Sequence, residues 1–189
     1  LPSFFQNQVE AVVFFIFFGV YIAIRVLFGG GESAWEKQQK KFRAGLEMIQ
    51  KKDWEAAWEY FQKRNKRWPF ETLPWVMLGE ISLHQGDNEQ AVFFAQKALR
   101  LDNTITEAHL LMSKGLQALG EFETAFQIAQ KAAWFGRNHA EANRLAGLLF
   151  LEKGNVEKGI HHLERAFSLG DEEAQMALKT KNLKNKNWK

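Results

Sequence analysis

Two hydrophobic patterns divide this chain. Residues 11–24 carry no charge at all, and the apolar stretch extends from Val9 to Phe28 with Glu10 near one end and Arg25 near the other. From about residue 38 onward the pattern changes. Apolar and small residues recur every three or four positions, as in Trp75, Leu78, Gly79 and Ser82, and then in Ala91, Ala95, Ala98 and Leu99. That spacing places them on one face of an amphipathic helix. Between the two runs stands Gly86-Asp87, which predicts a turn and therefore a helix pair.

The helix pair repeats with a period of 34 residues. Lys52-Asp53-Trp54, Gly86-Asp87-Asn88, Gly120-Glu121-Phe122 and Gly154-Asn155-Val156 occupy the same place in successive units. Each is followed three positions on by a small residue: Ala57, Ala91, Ala125 and Gly159. A second small column runs through Ala98, Ala132 and Ala166, with Arg64 breaking it in the first unit. A third comprises Gly45, Gly79, Ser113 and Gly147. A fixed period of this length marks a stack of helix pairs, each burying an apolar face on the next. Small residues in register let the helices approach closely. Ser33-x-x-Glu36 and Thr104-x-x-Glu107, and less fully Asn138-x-x-Glu141, have the spacing of capping boxes at helix starts.

On the period, on Trp75-x-x-Leu78-Gly79, on the run from Gly86 through Ala91 to Ala98-Leu99 and on Pro69 closing the first unit, the chain resembles the tetratricopeptide repeat (TPR) family over residues 38–171. The first unit departs from the pattern at Lys52 and Arg64, as an end unit with one unpartnered face can. The resemblance implies an all-α fold: a right-handed helical-repeat solenoid of about four TPR-like helix pairs, at residues 38–71, 72–105, 106–139 and 140–173. A closing helix over 172–183 would bury Ala174, Ala177 and Leu178. The repeat domain is taken as 32–183, with 184–189 as a basic tail.

The uncharged start predicts a single transmembrane helix. Residues 9–28, at ~1.5 Å per residue, would span ~30 Å, the thickness of a bilayer core. A cleaved leader should show a basic start and a small-residue cleavage site, and a buried soluble helix should show a polar face; the segment has neither clearly. Gly29-Gly30-Gly31 then supplies a joint, so 1–31 reads as anchor plus hinge. Lys37, Lys40, Lys41 and Arg43 follow the span, and no Lys or Arg precedes it. The positive-inside rule therefore expects a single-pass membrane protein with its repeats on the cytoplasmic side. Gly19 and Ala23, four residues apart and flanked by Phe15, form a small-residue notch where another membrane helix could pack.

Charge refines this picture. The net charge is +3, but between Trp35 and Trp68 ten Lys or Arg stand against five acids, whereas acids predominate from Pro69 to Leu178. The first unit is thus basic and adjacent to the predicted span. The overall balance, and the lack of any nucleic-acid-binding signature, direct the search away from nucleic acid. The chain has no cysteine, so disulfides, thiol catalysis and cysteine metal sites are excluded. His84, His109, His139, His161 and His162 include no His-x-x-x-His pair, so no metal is expected. The triple glycine lacks the Gly-Lys-Ser/Thr sequence of a phosphate loop, and no convergent acids appear. No cofactor and no enzyme activity are expected.

What remains is an interaction surface. In the TPR family the first helices line a groove, and their open faces here would carry Phe42, Leu46 and Ile49 in the first unit and Val76, Glu80, Leu83 and His84 in the second. Leu110, Lys114 and Gln117 follow in the third, and Arg144, Leu148 and Leu151 in the fourth. Such a face suits a protein segment with apolar anchors, although several of these residues could instead pack inside the superhelix. Phe42 and Leu46 stand where some relatives clamp a carboxylate with Lys and Asn, which argues against capture of a chaperone tail. The resulting expectation is a non-catalytic, membrane-anchored scaffold, assembly factor or accessory subunit whose partners are proteins of a membrane complex. The alternative is a membrane-tethered adaptor or co-chaperone that binds client segments transiently.

Overall fold

One backbone motif occurs five times. Gly86, Gly120, Gly154 and Gly170 have φ of +81°, +81°, +78° and +93°, and Lys52 takes the same left-handed turn at +59°. Each residue ends a helix in the same way. At the second turn Gly86 N–H donates to the Leu83 carbonyl and Asp87 N–H reaches back to Ser82, at 3.1 and 2.9 Å. This pair of bonds satisfies carbonyls that the helix end would leave open. The residue after the turn then starts the next helix. Side chains of Asp53, Asp87, Asn155 and Asp171 accept from the backbone N–H three positions on, in Ala56, Gln90, Lys158 and Ala174. Glu121 holds the equivalent place without such a bond. Glycine followed by a short acceptor thus encodes both the stop and the restart.

The computed structural model describes residues 33–186, with side chains as far as Thr180. The chain divides into two units, Leu1–Lys37 and Gln38–Lys189. Of the first, Ser33 and the opening of a helix are described. Ser33 Oγ accepts from Glu36 N–H, and Ser33 N–H donates to the Glu36 carboxylate at 2.7 Å, so the predicted capping box forms. The predicted span 9–28, with Phe15, Gly19 and Ala23, and the triple glycine lie outside the described residues. Among the described residues no helix is long and apolar enough to cross a membrane.

The described elements are all helical: α1 Ala34–Lys41, α2 Arg43–Gln50, α3 Trp54–Arg67, α4 Thr72–His84, α5 Asn88–Leu101, α6 Thr106–Ala118, α7 Phe122–Phe135, α8 Ala140–Glu152, α9 Val156–Ser168 and α10 Glu172–Lys186. They pack as successive pairs, α2 with α3, α4 with α5, α6 with α7 and α8 with α9, and α10 closes on α9. The closing helix runs three residues beyond its predicted end, into the predicted tail. Two predicted caps also differ. Thr104 bonds to Asp102 in a local turn while α6 starts two residues later, and α8 is capped by the His139 ring rather than by Asn138.

The small columns have different tasks. Ala57, Ala91 and Ala125 are fully buried, and Gly159 is buried with them. Gly79, Ser113 and Gly147 face them within the later pairs, whereas Gly45 lies against Tyr60 and Phe61. A Cβ on Gly147 would lie 2.9 Å from Leu163 Cγ and 3.0 Å from the Gly159 carbonyl oxygen. The second column joins one unit to the next: Ala132 packs with Leu110 and Ala142, and Ala166 packs with Leu163 and Ala174. Arg64, the exception, lays its guanidinium over the rings of Tyr60 and Trp68 at 4.7 and 5.4 Å.

Candidate partner-binding groove

First helices of successive units are linked along one edge. Gln38 Oε1 accepts from Leu73 N–H at 2.8 Å and from Thr72 Oγ1 at 3.2 Å, capping α4, whose own N-cap Glu71 supplies no side-chain bond. Lys41 pairs with Glu71 at 2.7 Å. Lys114 on α6 pairs with Glu141 on α8, and Arg144 on α8 with Asp171 before α10 at 2.8 Å. The Lys114–Glu141 pair thus ties α6 to α8, two of the helices around the groove surface.

That surface holds a hollow of about 200 Å³ built by α4, α6 and the start of α8. Its walls include five predicted residues, Val76, Glu80, Leu83, Leu110 and Lys114. Val76 and Leu110 are nearly buried, forming apolar floor, while Glu80 stands open at the side. The hollow also takes in Met77, Leu111, Glu107, His139 and Glu141, which the sequence reading missed. Glu107 and Glu141 sit three residues before the predicted Leu110 and Arg144. A helical side chain tilts toward the N-terminus, so the turn preceding each predicted residue carries the signal for these acids.

The hollow is net acidic, with Glu80, Glu107 and Glu141 against Lys114. The Glu80 carboxyl is pushed above the usual carboxylate range. Exclusion of water by the surrounding walls is the main cause; the Lys114 ammonium opposes it and the Glu141 carboxylate adds to it. Glu80 has accessible surface on the groove side, yet a concave wall of protein replaces much of its hydration.

The other predicted residues divide. Phe42 is fully buried and meets Trp68 edge-on at 6.0 Å, so it belongs to the interior, not to a binding face. His84 meets Trp54 of the preceding unit with centroids 4.0 Å apart and the rings tilted by 35°, at the turn end of α4. Leu148 and Leu151 pack on the Leu163, Ala166 and Ala174 cluster together with Ala177 and Leu178 of α10. The closing helix therefore occupies the fourth unit's share of the groove, and Arg144 is tied to Asp171 and Glu173. Leu46, Ile49 and Gln117 are half-buried and lie outside the hollow. Among the described residues no group of His, Asp or Glu could hold a metal ion.

The fold so defined is a stack of helix pairs of tetratricopeptide-repeat type. A sequence profile described as "Tetratricopeptide repeat" matches residues 74–105, the second unit. Among solved structures the chain resembles TTC0263, a thermophilic TPR protein in Thermus thermophilus, with 19% identity over 70% of this chain and 74% of that one and a TM-score of 0.62. It resembles MamA 41-end from Desulfovibrio magneticus RS-1 at 20% identity, over 78% and 85% of the two chains, with a TM-score of 0.62. It also resembles YrrB, described as a TPR protein with an unusual peptide-binding site, at 23% identity over 72% and 71%, TM-score 0.57. No curated protein matches the chain.

Proposed function

We propose that this chain is a non-catalytic scaffold that holds a protein segment in the groove of its first helices, and that residues 9–28 anchor it in a membrane. The observation that carries the reading is the hollow between α4, α6 and α8, with Val76 and Leu110 as apolar floor and Glu80, Glu107 and Glu141 as an acidic rim. Apolar anchors supply binding energy in such a groove, and charge at the rim selects the partner. The acidic excess favours a segment carrying apolar side chains and at least one Lys or Arg. The peptide-binding site ascribed to YrrB supports peptide as the class of ligand.

With the anchor in a bilayer and the basic first unit next in the chain, the groove would be tethered to the membrane. Its effective concentration toward membrane-protein partners rises accordingly. The leading role is that of an assembly factor or accessory subunit of a membrane complex, with the repeats on the cytoplasmic side. A tethered adaptor that visits many clients is the second reading. Purification of the full chain in mild detergent, followed by mass spectrometry, separates them: a partner at constant stoichiometry supports the subunit role, and many substoichiometric partners the adaptor.

The groove is tested with Glu80→Lys and with Glu107→Lys, which reverse two of its acids. Both should reduce recovery of the native partners with helicity unchanged. Recovery of every partner by both variants, together with loss in Gly19→Leu, would move the interface into the membrane.

A further inference from the structure

A second hollow, of about 500 Å³, opens on the side of the second helices, between α7 and α9 with α8 beneath. Its charge is opposite to that of the groove. Lys131, Arg137 and Arg165 line it, no carboxylate does, and none of the three is in an ion pair among the described residues. Trp134 forms one wall, 66% exposed, with the Arg137 guanidinium over its ring at 4.7 Å. Leaving a large indole in water beside three cations brings no packing energy to the fold.

The wall is held in place from below. Asn143 is almost wholly buried, and its Nδ2 lies 3.3, 3.1 and 2.9 Å from the carbonyl oxygens of Gly136, Arg137 and His139. Those three acceptors fix the amide's orientation, so Oδ1 must face His162, whose Nδ1–H donates to it at 3.2 Å. His162 in turn lies parallel to Phe150, with centroids 5.4 Å apart. Arg165 Nε donates to the Arg137 carbonyl at 2.8 Å. The loop carrying Arg137 is therefore clamped from two helices. The cations stand on a fixed frame, which lowers the ordering cost of binding.

We propose that this hollow is a second docking site, taking an acidic peptide segment with an aromatic or apolar side chain. Carboxylates would meet Lys131, Arg137 and Arg165, guanidinium being suited to bidentate carboxylate pairing. The accompanying ring would lie on Trp134. The site is independent of the groove, whose acidic rim repels such a ligand. One repeat domain would then hold two segments of opposite charge on opposite sides of its helix pairs.

The test is fluorescence anisotropy of a short labelled peptide of glutamates with one phenylalanine, added to the full chain in nonionic detergent. Binding should weaken as salt rises. Lys131→Glu and Arg137→Glu should each weaken it at least about tenfold, and Trp134→Ala should also reduce it. Lys114→Glu in the groove and Lys97→Glu on α5 should leave it unchanged, each variant being checked for helicity. Equal loss in all charge variants would reduce the effect to net charge and overturn the proposal. So would binding indifferent to Lys131 and Arg137, which would assign it to the Lys-rich C-terminal residues. Tighter binding of a single-stranded oligonucleotide of matched charge, lost in the same variants, would make the site one for nucleic acid instead.

Discussion

Ser113 Oγ donates a hydrogen bond to the Ala125 backbone carbonyl at 2.8 Å, across the third helix pair. Ser113 stands where the other three units have Gly45, Gly79 and Gly147. The Ala125 helix is close enough that the hydroxyl finds an acceptor in its backbone rather than in a side chain. Both residues are fully buried. Ser113→Ala should therefore cost about 1 kcal/mol, the net worth of one neutral hydrogen bond. Ala125→Leu should cost more, ~1–3 kcal/mol, because added volume forces the pair apart. Gln127→Leu, two residues away and exposed, should stay within about 0.5 kcal/mol. Urea midpoints of the three variants test the ranking, and equal shifts for Ala125→Leu and Gln127→Leu would contradict it.

The turns give a prediction of opposite sign at equivalent positions. Lys52 holds φ +59° where the later turns use glycine, a conformation that costs an L residue roughly 1–2 kcal/mol. Glycine in its place relieves that strain but loses more entropy on folding, about 0.5–1 kcal/mol. The expected balance is a gain of about 0.5–1 kcal/mol for Lys52→Gly. At Gly86 a Cβ would meet nothing within 4 Å, so Gly86→Ala isolates the backbone term and should destabilise by about 1 kcal/mol. Thermal denaturation of both variants should show shifts in opposite directions.

The repeat frame was legible because its signals are local and recur. Gly86-Asp87 states stop and restart in two letters, and the small-residue columns keep one register, broken at Arg64. The groove was read less well because helical periodicity identifies a face without saying what covers it. Leu148 has the same pattern as Leu110, but α10 packs over Leu148 while Leu110 floors the open hollow. Phe42 fails for a related reason. It falls between α1 and α2, where a straight helical wheel no longer applies, and it turns inward to Trp68. Asn143 and Trp134 carried no periodic signal, since one acts through carbonyls of a loop and the other stands out in water.

Two imidazoles, His109 buried and His162 half-buried, make stability depend on pH. His109 is held below the ordinary histidine value, chiefly by burial and further by the Lys131 charge, against an opposing bond to the Asn103 carbonyl at 2.9 Å. His162 is lowered too, by burial first and then by His161, Arg165 and Lys158. Both sites thus favour the neutral ring in the folded state. Between the folded value and about 6.5 the unfolded chain binds more protons, so the contribution is complete above ~6.5 and is lost as pH falls through that window. The melting temperature should drop on going from about pH 7 to about pH 5.5. His109→Phe, which keeps the stack on Phe135, should make that drop smaller; an unchanged pH profile would remove His109 from the account.

Arg144 fastens the closing helix and is thereby a poor probe of the groove. Its guanidinium reaches Asp171 and Glu173, each at 2.8 Å, and the Asp171 carboxylate also caps α10 through Ala174 N–H at 2.9 Å. Burial tends to raise the Asp171 carboxyl, but the Ala174 and Arg144 bonds outweigh it and hold the group below its ordinary value. A depressed carboxylate contributes stability that is complete above the ordinary aspartate value and is lost as pH falls through the folded one. Arg144→Gln should accordingly release α10 at neutral pH, by about 1.5–3 kcal/mol for the part-buried charged bond; the exposed Glu173 adds little. Amide exchange reads this directly. Protection should fall along the described length of α10 and over Leu148 and Leu151, while α6 and α7 keep theirs. Asp171→Asn should do the same and flatten the acid dependence of α10 exchange. Protection of α10 unaltered in both variants would mean that the Leu163, Ala166 and Ala174 packing holds the helix without the ion pair.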